Sequence, residues 1–191
     1  MKHLLAGLAL SMLASHALAQ WELDNDNSRI DFISVKNAAI AESHHFASLV
    51  GHIGSDGNAS ITINLDSLET LIPIRNERMR EMLFGTSEYP TARATTAVDP
   101  ALLAAVAGGG MVTADVELKL SLHGVENTLT APVIVIGGSG TLRVVSARPI
   151  LLGADDYDLG PGVEALREVA GLANISTAVP VTVNLVFRHV K

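Results

Sequence analysis

Regular alternation of apolar and polar residues is the clearest structural signal in the chain. From Val112 to Leu122 the even-numbered positions are apolar and the odd-numbered positions between them are polar. The same alternation occurs from Ile61 to Leu65 and from Val179 to Phe187. Because successive side chains of a strand point to opposite faces, each segment is predicted to be a strand with one buried face. Such half-buried strands are typical of antiparallel sheets.

Turn-forming sequences separate the apolar-rich stretches at residues 55–58, 123–127 and 137–140. They are spaced as hairpin connections are, so the strands are predicted to follow one another as a meander. Weaker strand patterns bring the total to about eight strands. These weaker strands are Arg29–Val35, His45–Ile53, Thr91–Val98, Thr128–Ile136 and Thr141–Ile150.

Two helices are predicted to interrupt the meander. Ile74–Phe84 follows a proline and has apolar residues at helical spacing, with arginine and glutamate over the rest of its surface. These charged residues are spaced to pair with one another on a solvated face, although the arginines could instead clamp an anionic group. Val163–Ala170 carries a second apolar stripe, which Gly171 can end.

The N-terminus has the features of a secretory signal peptide. Lys2 precedes an apolar run from Leu4 to Leu18, and Ala17-Leu18-Ala19 matches the small-x-small pattern that signal peptidase reads. The run is shorter than the ~20 apolar residues that span a bilayer, which disfavours a retained anchor. We therefore predict cleavage after Ala19, with residues 1–19 as the signal peptide and residues 20–191 as one mature domain.

Composition argues against two classes of partner. Cleavage would remove one of the 13 Lys and Arg residues and none of the 20 Asp and Glu residues, which changes the formal net charge from −7 to −8. An acidic chain is not expected to bind nucleic acid or to dock electrostatically on anionic lipid, because both need clustered basic residues. Cysteine is absent, which excludes disulfides and thiolate metal ligands. No later apolar run approaches membrane-spanning length, so the mature chain is not expected to span a membrane.

Histidine provides the first candidates for chemistry. His44, His45, His52, His123 and His189 remain after cleavage, and their spacing does not match a zinc site. Adjacent His44 and His45 on a strand would point to opposite faces. We interpret the histidines as loop or surface residues. A weak alternative is that His45 and His52 meet across a turn, as a metal site or with Glu42 as a catalytic cluster.

The remaining motifs favour turns over chemistry. The acidic runs Asp24–Ser28 and Asp155–Asp158 lack the glycine and glutamate of a calcium-binding EF-hand loop. Gly137–Gly140 has neither the order of a serine-nucleophile turn nor that of a phosphate-binding loop. The sequence therefore predicts no catalytic residue, no metal ligand and no cofactor, and the protein is not expected to be an enzyme.

A series of short motifs resembles the YceI-like, polyisoprenoid-binding family. Order and spacing agree from about Ser28 to Phe187. Asn76 stands where the family usually has Asp, and Ala94 where it commonly has a larger apolar residue. The motifs are Ser67-Leu68-Glu69-Thr70, Arg75-Asn76-Glu77-Arg78-Met79-Arg80, Met82-Leu83-Phe84, Tyr89-Pro90 and Leu120-Ser121-Leu122-His123-Gly124-Val125.

The resemblance implies a mainly β protein, a lipocalin-like antiparallel barrel with two short helices that holds a long isoprenoid or related lipid in the bacterial periplasm. An eight-stranded barrel is wide enough for one slender ligand, and apolar burial needs no catalytic group. The inward faces of three predicted strands are candidate ligand lining: Ile61, Ile63, Leu65, Val116, Leu118, Leu120, Val183, Leu185 and Phe187. Four residues of the first helix are predicted to guard the mouth of the barrel: Met79, Met82, Leu83 and Phe84.

Other functions stay open at this point. The same inward residues would fill a solid core in a structural or stress-protective protein, because the alternation is identical in both cases. The expected partner is an apolar small molecule such as an isoprenoid or a fatty acyl lipid, and a homodimer is left open.

Overall fold

A computed structural model describes residues 19–190 of the chain. The predicted signal peptide, apart from its last residue, lies outside the described residues. Within residues 19–190 the backbone forms twelve β-strands and three short α-helices. The strands are β1 Ala19–Leu23, β2 Arg29–Lys36, β3 Ile40–Phe46, β4 Leu49–Gly54, β5 Asn58–Asn64, β6 Leu68–Glu69, β7 Thr91–Ala97, β8 Gly110–Leu122, β9 Val125–Gly138, β10 Thr141–Ser146, β11 Ile150–Gly153 and β12 Ala178–His189.

The strands close into one antiparallel barrel, which confirms the predicted fold class. β12 is long enough to pair with both β1 and β2 on one side and with both β10 and β11 on the other. The next position in the ring is shared by β3, which pairs with β2, and β4, which pairs with β1. The position after that is shared by β5, which pairs with β4, and β6, which pairs with β3. Counting each broken pair as one long strand gives eight, and the pairing with β12 closes the ring.

The tight hairpins have the backbone geometry that their sequences favour. His123 and Gly124, between β8 and β9, have φ of 52° and 79°. Ser139 and Gly140, between β9 and β10, have φ of 52° and 74°. Two successive positive φ angles define the type I′ turn, whose twist matches that of the flanking strands. These turns fix the register in which the even-numbered residues of β8 face inward.

The barrel has two different ends. We call the end marked by Leu122 and Ala178 the mouth end, and the opposite end, marked by Gly110 and His189, the plug end. At the mouth end, α1 (Pro73–Arg78) continues into a π-helical turn (Met79–Phe84), and this turn packs against α3 (Gly160–Val169). The plug end is covered by α2 (Pro100–Ala107), which joins β7 to β8.

The helix α2 corrects the expectation of only two helices. Asp99 caps its N-terminus by accepting a hydrogen bond from the Ala101 N–H at 2.8 Å, and Pro100 occupies the first turn. Both features are start signals for a helix. The helix was not predicted because it is apolar around most of its circumference and shows no amphipathic period. Its residues Leu103 and Val106 are buried against the barrel.

Two predicted strands are each broken into two. The segment predicted as His45–Ile53 spans the end of β3 and all but the last residue of β4, with a break at residues 47–48. There the Asn25 side chain donates to the Ala47 carbonyl at 3.2 Å and accepts from the Leu49 N–H at 2.7 Å, in place of a strand partner. The segment predicted as Thr141–Ile150 is likewise divided between β10 and β11. None of the helices in residues 19–190 combines the length and the apolar character that a membrane-spanning helix needs.

Candidate functional site

An apolar cavity of about 190 Å³ occupies the half of the barrel nearest the mouth end. Its wall is built from inward-facing residues of the strands, closed on one side by the π-helical turn and α3. Aliphatic and aromatic side chains supply nearly all of it. The lining residues are Ile30, Phe32, Phe46, Ile63, Leu65, Leu83, Phe84, Ala92, Ala94, Leu118, Leu120, Leu122, Leu129, Ile150, Leu152, Gly153, Ala154, Tyr157, Leu159, Val163, Val179, Val181 and Val183.

A second space of about 330 Å³ lies between the barrel wall, α1 and α3, and we call it the mouth cavity. Phe32, Leu83, Val163 and Val179 line both spaces, so these four side chains are the partition between them. The mouth cavity differs in carrying polar groups as well as apolar ones. The two spaces together form an apolar interior with a polar outer part, a shape suited to an amphiphile.

The half of the barrel near the plug end is filled. Leu142 is 0% exposed and Val106 of α2 is 2% exposed, and Trp21 and Ala131 in the same half are buried as well. Close packing of this kind leaves no space for a ligand. The barrel is therefore hollow in its mouth half and filled in its plug half. The sequence left a hollow and a filled interior as alternatives, and each of them describes one half.

Several of the predicted lining residues lie on the cavity wall. From the strands and the turn after β5 these are Ile63, Leu65, Leu118, Leu120 and Val183, and from the helix they are Leu83 and Phe84. Leu65 reaches the wall from a 3-10 turn that follows β5, which corrects its predicted place on a strand.

Other predicted lining residues lie off the wall of the inner cavity, for identifiable reasons. Leu185 and Phe187 are buried in the filled half, and Val116 lies one inward step from Leu118 toward that half, opposite the buried Ala131. The Ile61 side chain packs instead against the neighbouring strand, over Gly51. A Cβ added to Gly51 would lie only 2.5 Å from Ile61 Cδ1.

The two predicted methionine guards differ from each other. Met79 is buried and lines the mouth cavity, whereas Met82 is on the outer side of the π-helical turn and lines neither space. The turn itself packs closely on α3. An ideal Cβ at Gly162 would lie 2.6 Å from the Met82 carbonyl oxygen, so only glycine permits this approach.

Aromatic residues form a part of the wall that the sequence reasoning missed. Phe32 stacks on Phe46 with ring centroids 5.5 Å apart, and Phe46 meets Phe84 edge-on at 5.9 Å. Tyr157 joins the same wall from a 3-10 turn before α3. Phe32 belongs to β2, where Ile30 and Phe32 alternate with Arg29 and Asp31, and that short alternation was the available signal. Phe46 on β3 had no such signal, because the inward positions before it are Glu42 and His44.

An ion-pair network lies across the mouth cavity. Glu42 on β3 accepts from Lys36 Nζ at 2.8 Å and from Arg75 at 2.9 Å, and these bonds lower the pKa of the Glu42 carboxyl, with the Lys36 bond contributing most. Arg75 also donates to the Thr70 carbonyl at 2.6 Å. Arg75 therefore pairs with the barrel wall, whereas the helical spacing had favoured pairing with the glutamates of its own helix.

His44 is buried in the wall of the mouth cavity, which corrects its interpretation as a loop or surface residue. It is 2% exposed, and its Nε2 is 2.9 Å from Ser34 Oγ. Burial, followed by the charge of Arg75, lowers the pKa of His44 to about 4, so the ring is neutral at pH 7. Its Nδ1 and the Nε of Arg75 are buried with no hydrogen-bond partner among residues 19–190.

The alternative metal or catalytic cluster has no support in the contacts of its members. His45 contacts Arg29 through Nδ1 at 3.2 Å, while His52 contacts Ser60 at 3.3 Å. Glu42 is engaged by Lys36 and Arg75. Among the residues that the structure describes, no group of three or more His, Cys, Asp or Glu side chains is placed to hold a metal ion.

The motif residues that carry the family resemblance have structural roles at the mouth end. The Tyr89 and His123 rings lie 4.6 Å apart, and an ideal Cβ at Gly124 would be 2.9 Å from Tyr89 Cε1. These contacts fasten the β8–β9 hairpin to the loop after the π-helical turn. Thr70 donates its N–H to Asn76 Oδ1 at 2.9 Å, which ties the start of α1 to the end of β6.

Comparison with known proteins identifies the family. Residues 21–187 match the YceI-like domain, and the chain therefore belongs to this family. No curated protein matches the chain significantly.

The solved structures include a polyisoprenoid-binding domain from Saccharophagus degradans, implicated in plant cell wall breakdown. It is 37% identical, with a TM-score of 0.88 over 91% of this chain and 100% of that domain. Burkholderia cenocepacia BcnA has a TM-score of 0.67 at 20% identity, over 86% of this chain and 98% of that one. The Campylobacter jejuni YceI protein has a TM-score of 0.53 at 10% identity, over 83% and 85%. The last two show the fold alone.

Proposed function

We propose that this protein binds one long apolar molecule, an isoprenoid or a related lipid, inside the mouth half of its barrel and performs no chemistry on it. The observation that carries the proposal is the apolar inner cavity adjoining the partly polar mouth cavity across four shared side chains. An apolar chain would occupy the inner cavity, and the polar end of the molecule would remain in the mouth cavity.

Apolar burial alone supplies sufficient affinity. Each buried CH₂ group contributes about 0.8 kcal/mol, so about ten buried groups would supply about 8 kcal/mol, which corresponds to a dissociation constant of about 1 μM before ordering costs. Ordering the flexible ligand chain on binding costs free energy and so raises the dissociation constant. Contact of the ligand with the aromatic side chains near Phe46 offsets part of this cost.

Two further points support the proposal. The domain from Saccharophagus degradans that is 37% identical is described as polyisoprenoid-binding. The predicted signal peptide favours export, and in a bacterium the expected location is the periplasm. An exported carrier would shield an insoluble molecule from water.

The decisive experiment is organic extraction of protein purified from its native compartment, followed by mass spectrometry, since this requires no guess about the lipid. A stoichiometric long-chain molecule is expected. Ala94→Phe should prevent its retention by filling the cavity, because Ala94 is a small residue on the wall. Ala97→Phe is the matched control, because Ala97 is an exposed residue of the same strand.

The opposite result would leave a structural role. If extracts contain no stoichiometric lipid, and isoprenoid alcohols and fatty acids added well above micromolar concentration do not raise the melting temperature, mass action excludes a useful site. Equal lipid content in the Ala94→Phe and Ala97→Phe variants would show that any bound lipid lies elsewhere.

A further inference from the structure

The barrel wall has its shortest ladder at the junction between β7 and β8, which we call the seam. β8 pairs with β9 along its whole length, whereas it pairs with β7 only from Lys119 to Ser121. No other junction of the ring in residues 19–190 is joined by so few residue pairs. Past Thr95 the two strands are linked by a side-chain bond, in which Thr96 Oγ1 donates to the Glu117 carbonyl at 2.7 Å. Since segments with few hydrogen bonds open most readily, the seam is where the wall is expected to open first.

A space of about 420 Å³ on the outside of the barrel enters the seam, and we call it the outer groove. Thr95 and Lys119 line it from the outer face of the sheet. Thr96 and Leu118 line it as well, although they occupy inward positions of β7 and β8. Leu118 also lines the inner cavity. The Leu118 side chain therefore stands between the inner cavity and the outside.

The seam borders the inner cavity along its paired part too. Ala94 on β7 is opposite Leu120 on β8, and both line the cavity. Ala92, the previous inward residue of β7, lies on the same wall. β7 thus places only methyl groups beside the seam, and a methyl group has no rotamers to rearrange. Separation of the two strands would be enough to open the cavity sideways.

The mouth end is held more firmly than the seam. Glu42 accepts from Lys36 and from Arg75, so opening the mouth cavity would separate both ion pairs. The π-helical turn is also in close contact with α3, since a Cβ added to Gly162 would lie 2.6 Å from the Met82 carbonyl oxygen. Lifting these helices would break more interactions than parting the seam.

We propose that the apolar ligand enters and leaves the inner cavity sideways, through the seam, while the helices of the mouth end stay in place. The polar side chains of the outer groove, among them Arg93, Glu117 and Lys119, would contact the polar end of the ligand as its apolar chain passes. This route rests on the lipid-binding function proposed above and adds the path by which the ligand is exchanged.

A disulfide across the seam tests the route. Thr95 and Lys119 are directly opposed, and opposed residues of antiparallel strands lie at a Cα separation that a disulfide can bridge. The chain has no cysteine, so Thr95→Cys with Lys119→Cys can form only this bond within one molecule. Ser60→Cys with Thr95→Cys is the matched control, because Ser60 is opposed to Thr95 across the other edge of β7.

The measurement is the rate at which cis-parinaric acid, a fluorescent fatty acid, passes from the protein to phosphatidylcholine vesicles. The oxidised seam variant should release the probe about tenfold more slowly than the same variant after reduction, because locked strands cannot part. The oxidised control variant should release it at the wild-type rate.

A second variant needs no cross-link. Thr96→Val removes the side-chain bond of the seam and keeps the shape of the side chain, so release should become about fivefold faster, as expected for the loss of one hydrogen bond. Thr95→Val is its control, because it makes the same change on the outer face of the same strand.

Three results would overturn the route: equal release from the oxidised and reduced seam variant, equal slowing by both disulfides, or no faster release from Thr96→Val than from Thr95→Val. If the probe binds and its release ignores the seam disulfide, lipid binding stands and the entrance lies at the mouth end. Failure of the wild-type protein to take up the probe or isoprenoid alcohols would instead reject the binding function, and the route with it.

Discussion

Acidification from pH 6.5 toward pH 4 is expected to destabilise the protein through His44. Its lowered pKa means that the unfolded chain binds the proton before the folded chain does, so this contribution to stability is full above about pH 6.5 and is lost as the pH falls. The interval from pKa 6.5 to about 4, at about 1.4 kcal/mol for each pH unit, corresponds to about 3 kcal/mol of unfolding free energy.

The charges that face His44 come from several elements. Arg75 on α1 and Lys36 on β2 disfavour its protonation, as does neighbouring His45, whereas Glu42 favours it. Glu42 itself has a lowered pKa, so its own contribution is lost only as the pH falls below its ordinary value of 4.5. The interval between pH 6.5 and 4.5 therefore reports mainly on His44.

Urea unfolding followed by the fluorescence of the single, buried Trp21 measures the effect. The unfolding free energy of the wild-type protein should fall between pH 7 and pH 4.5, and His44→Gln should make it nearly constant over that range. His45→Gln should keep the wild-type slope. A wild-type free energy that does not change with pH, or equal flattening by both variants, would refute the reasoning.

Three further predictions concern processing, packing and capping. The mature protein should begin at Gln20, and an intact mass that includes residues 1–19 would contradict this. Leu142→Ala should lower the unfolding free energy by about 2–5 kcal/mol because the plug half is solid, whereas Leu118→Ala on the cavity wall should lower it less. Equal losses of unfolding free energy in urea would contradict the assignment of the two halves. Asp99→Ala should cost about 1 kcal/mol in urea unfolding by removing the cap of α2, and no loss would mean that α2 does not need its cap.

The strands were predictable from sequence where each one is set by its own alternation. β8 alternates from Val112 to Leu122 and β12 from Val179 to Leu185, and the inward face of β8 is the one that the pattern indicates. The break between β3 and β4 was not predictable, because it depends on Asn25, which reaches residues 47 and 49 from a different turn. A local pattern carries no information about a side chain that arrives from a distant part of the chain.

The site was predictable only in part, since inward apolar residues look alike in a solid and in a hollow barrel. The plug half is filled and the mouth half is hollow because different segments and side chains occupy the two ends of the barrel. α2 inserts Leu103 and Val106 at the plug end, while small residues such as Ala92 and Ala94 leave space near the mouth. The histidine interpretation failed for a related reason: β3 is covered by α1, so a residue such as His44 on its inner face is buried.

The departure from the family pattern at position 76 has a local explanation. Asn76 Oδ1 accepts from the Thr70 N–H at 2.9 Å, and its Nδ2 donates to Glu69 Oε1 at 3.2 Å. An aspartate could accept the first bond, but it would place a second carboxylate against Glu69. Asparagine therefore allows Glu69 to stay ionised while it holds the Leu71 N–H.

Asn76→Asp is accordingly expected to destabilise the protein by about 1–3 kcal/mol, since a buried donor is lost and two like charges are brought together. The pKa of one of the two carboxyls should rise, so the stability loss should be larger at pH 7 than at pH 5, because a raised carboxyl pKa favours the folded state only while that group is protonated. Adding Glu69→Gln should recover most of the loss at pH 7. Urea unfolding at both pH values measures this, and a loss that is independent of pH, or one that Glu69→Gln does not relieve, would show that the substitution acts through packing and that Glu69 does not restrict the residue at position 76.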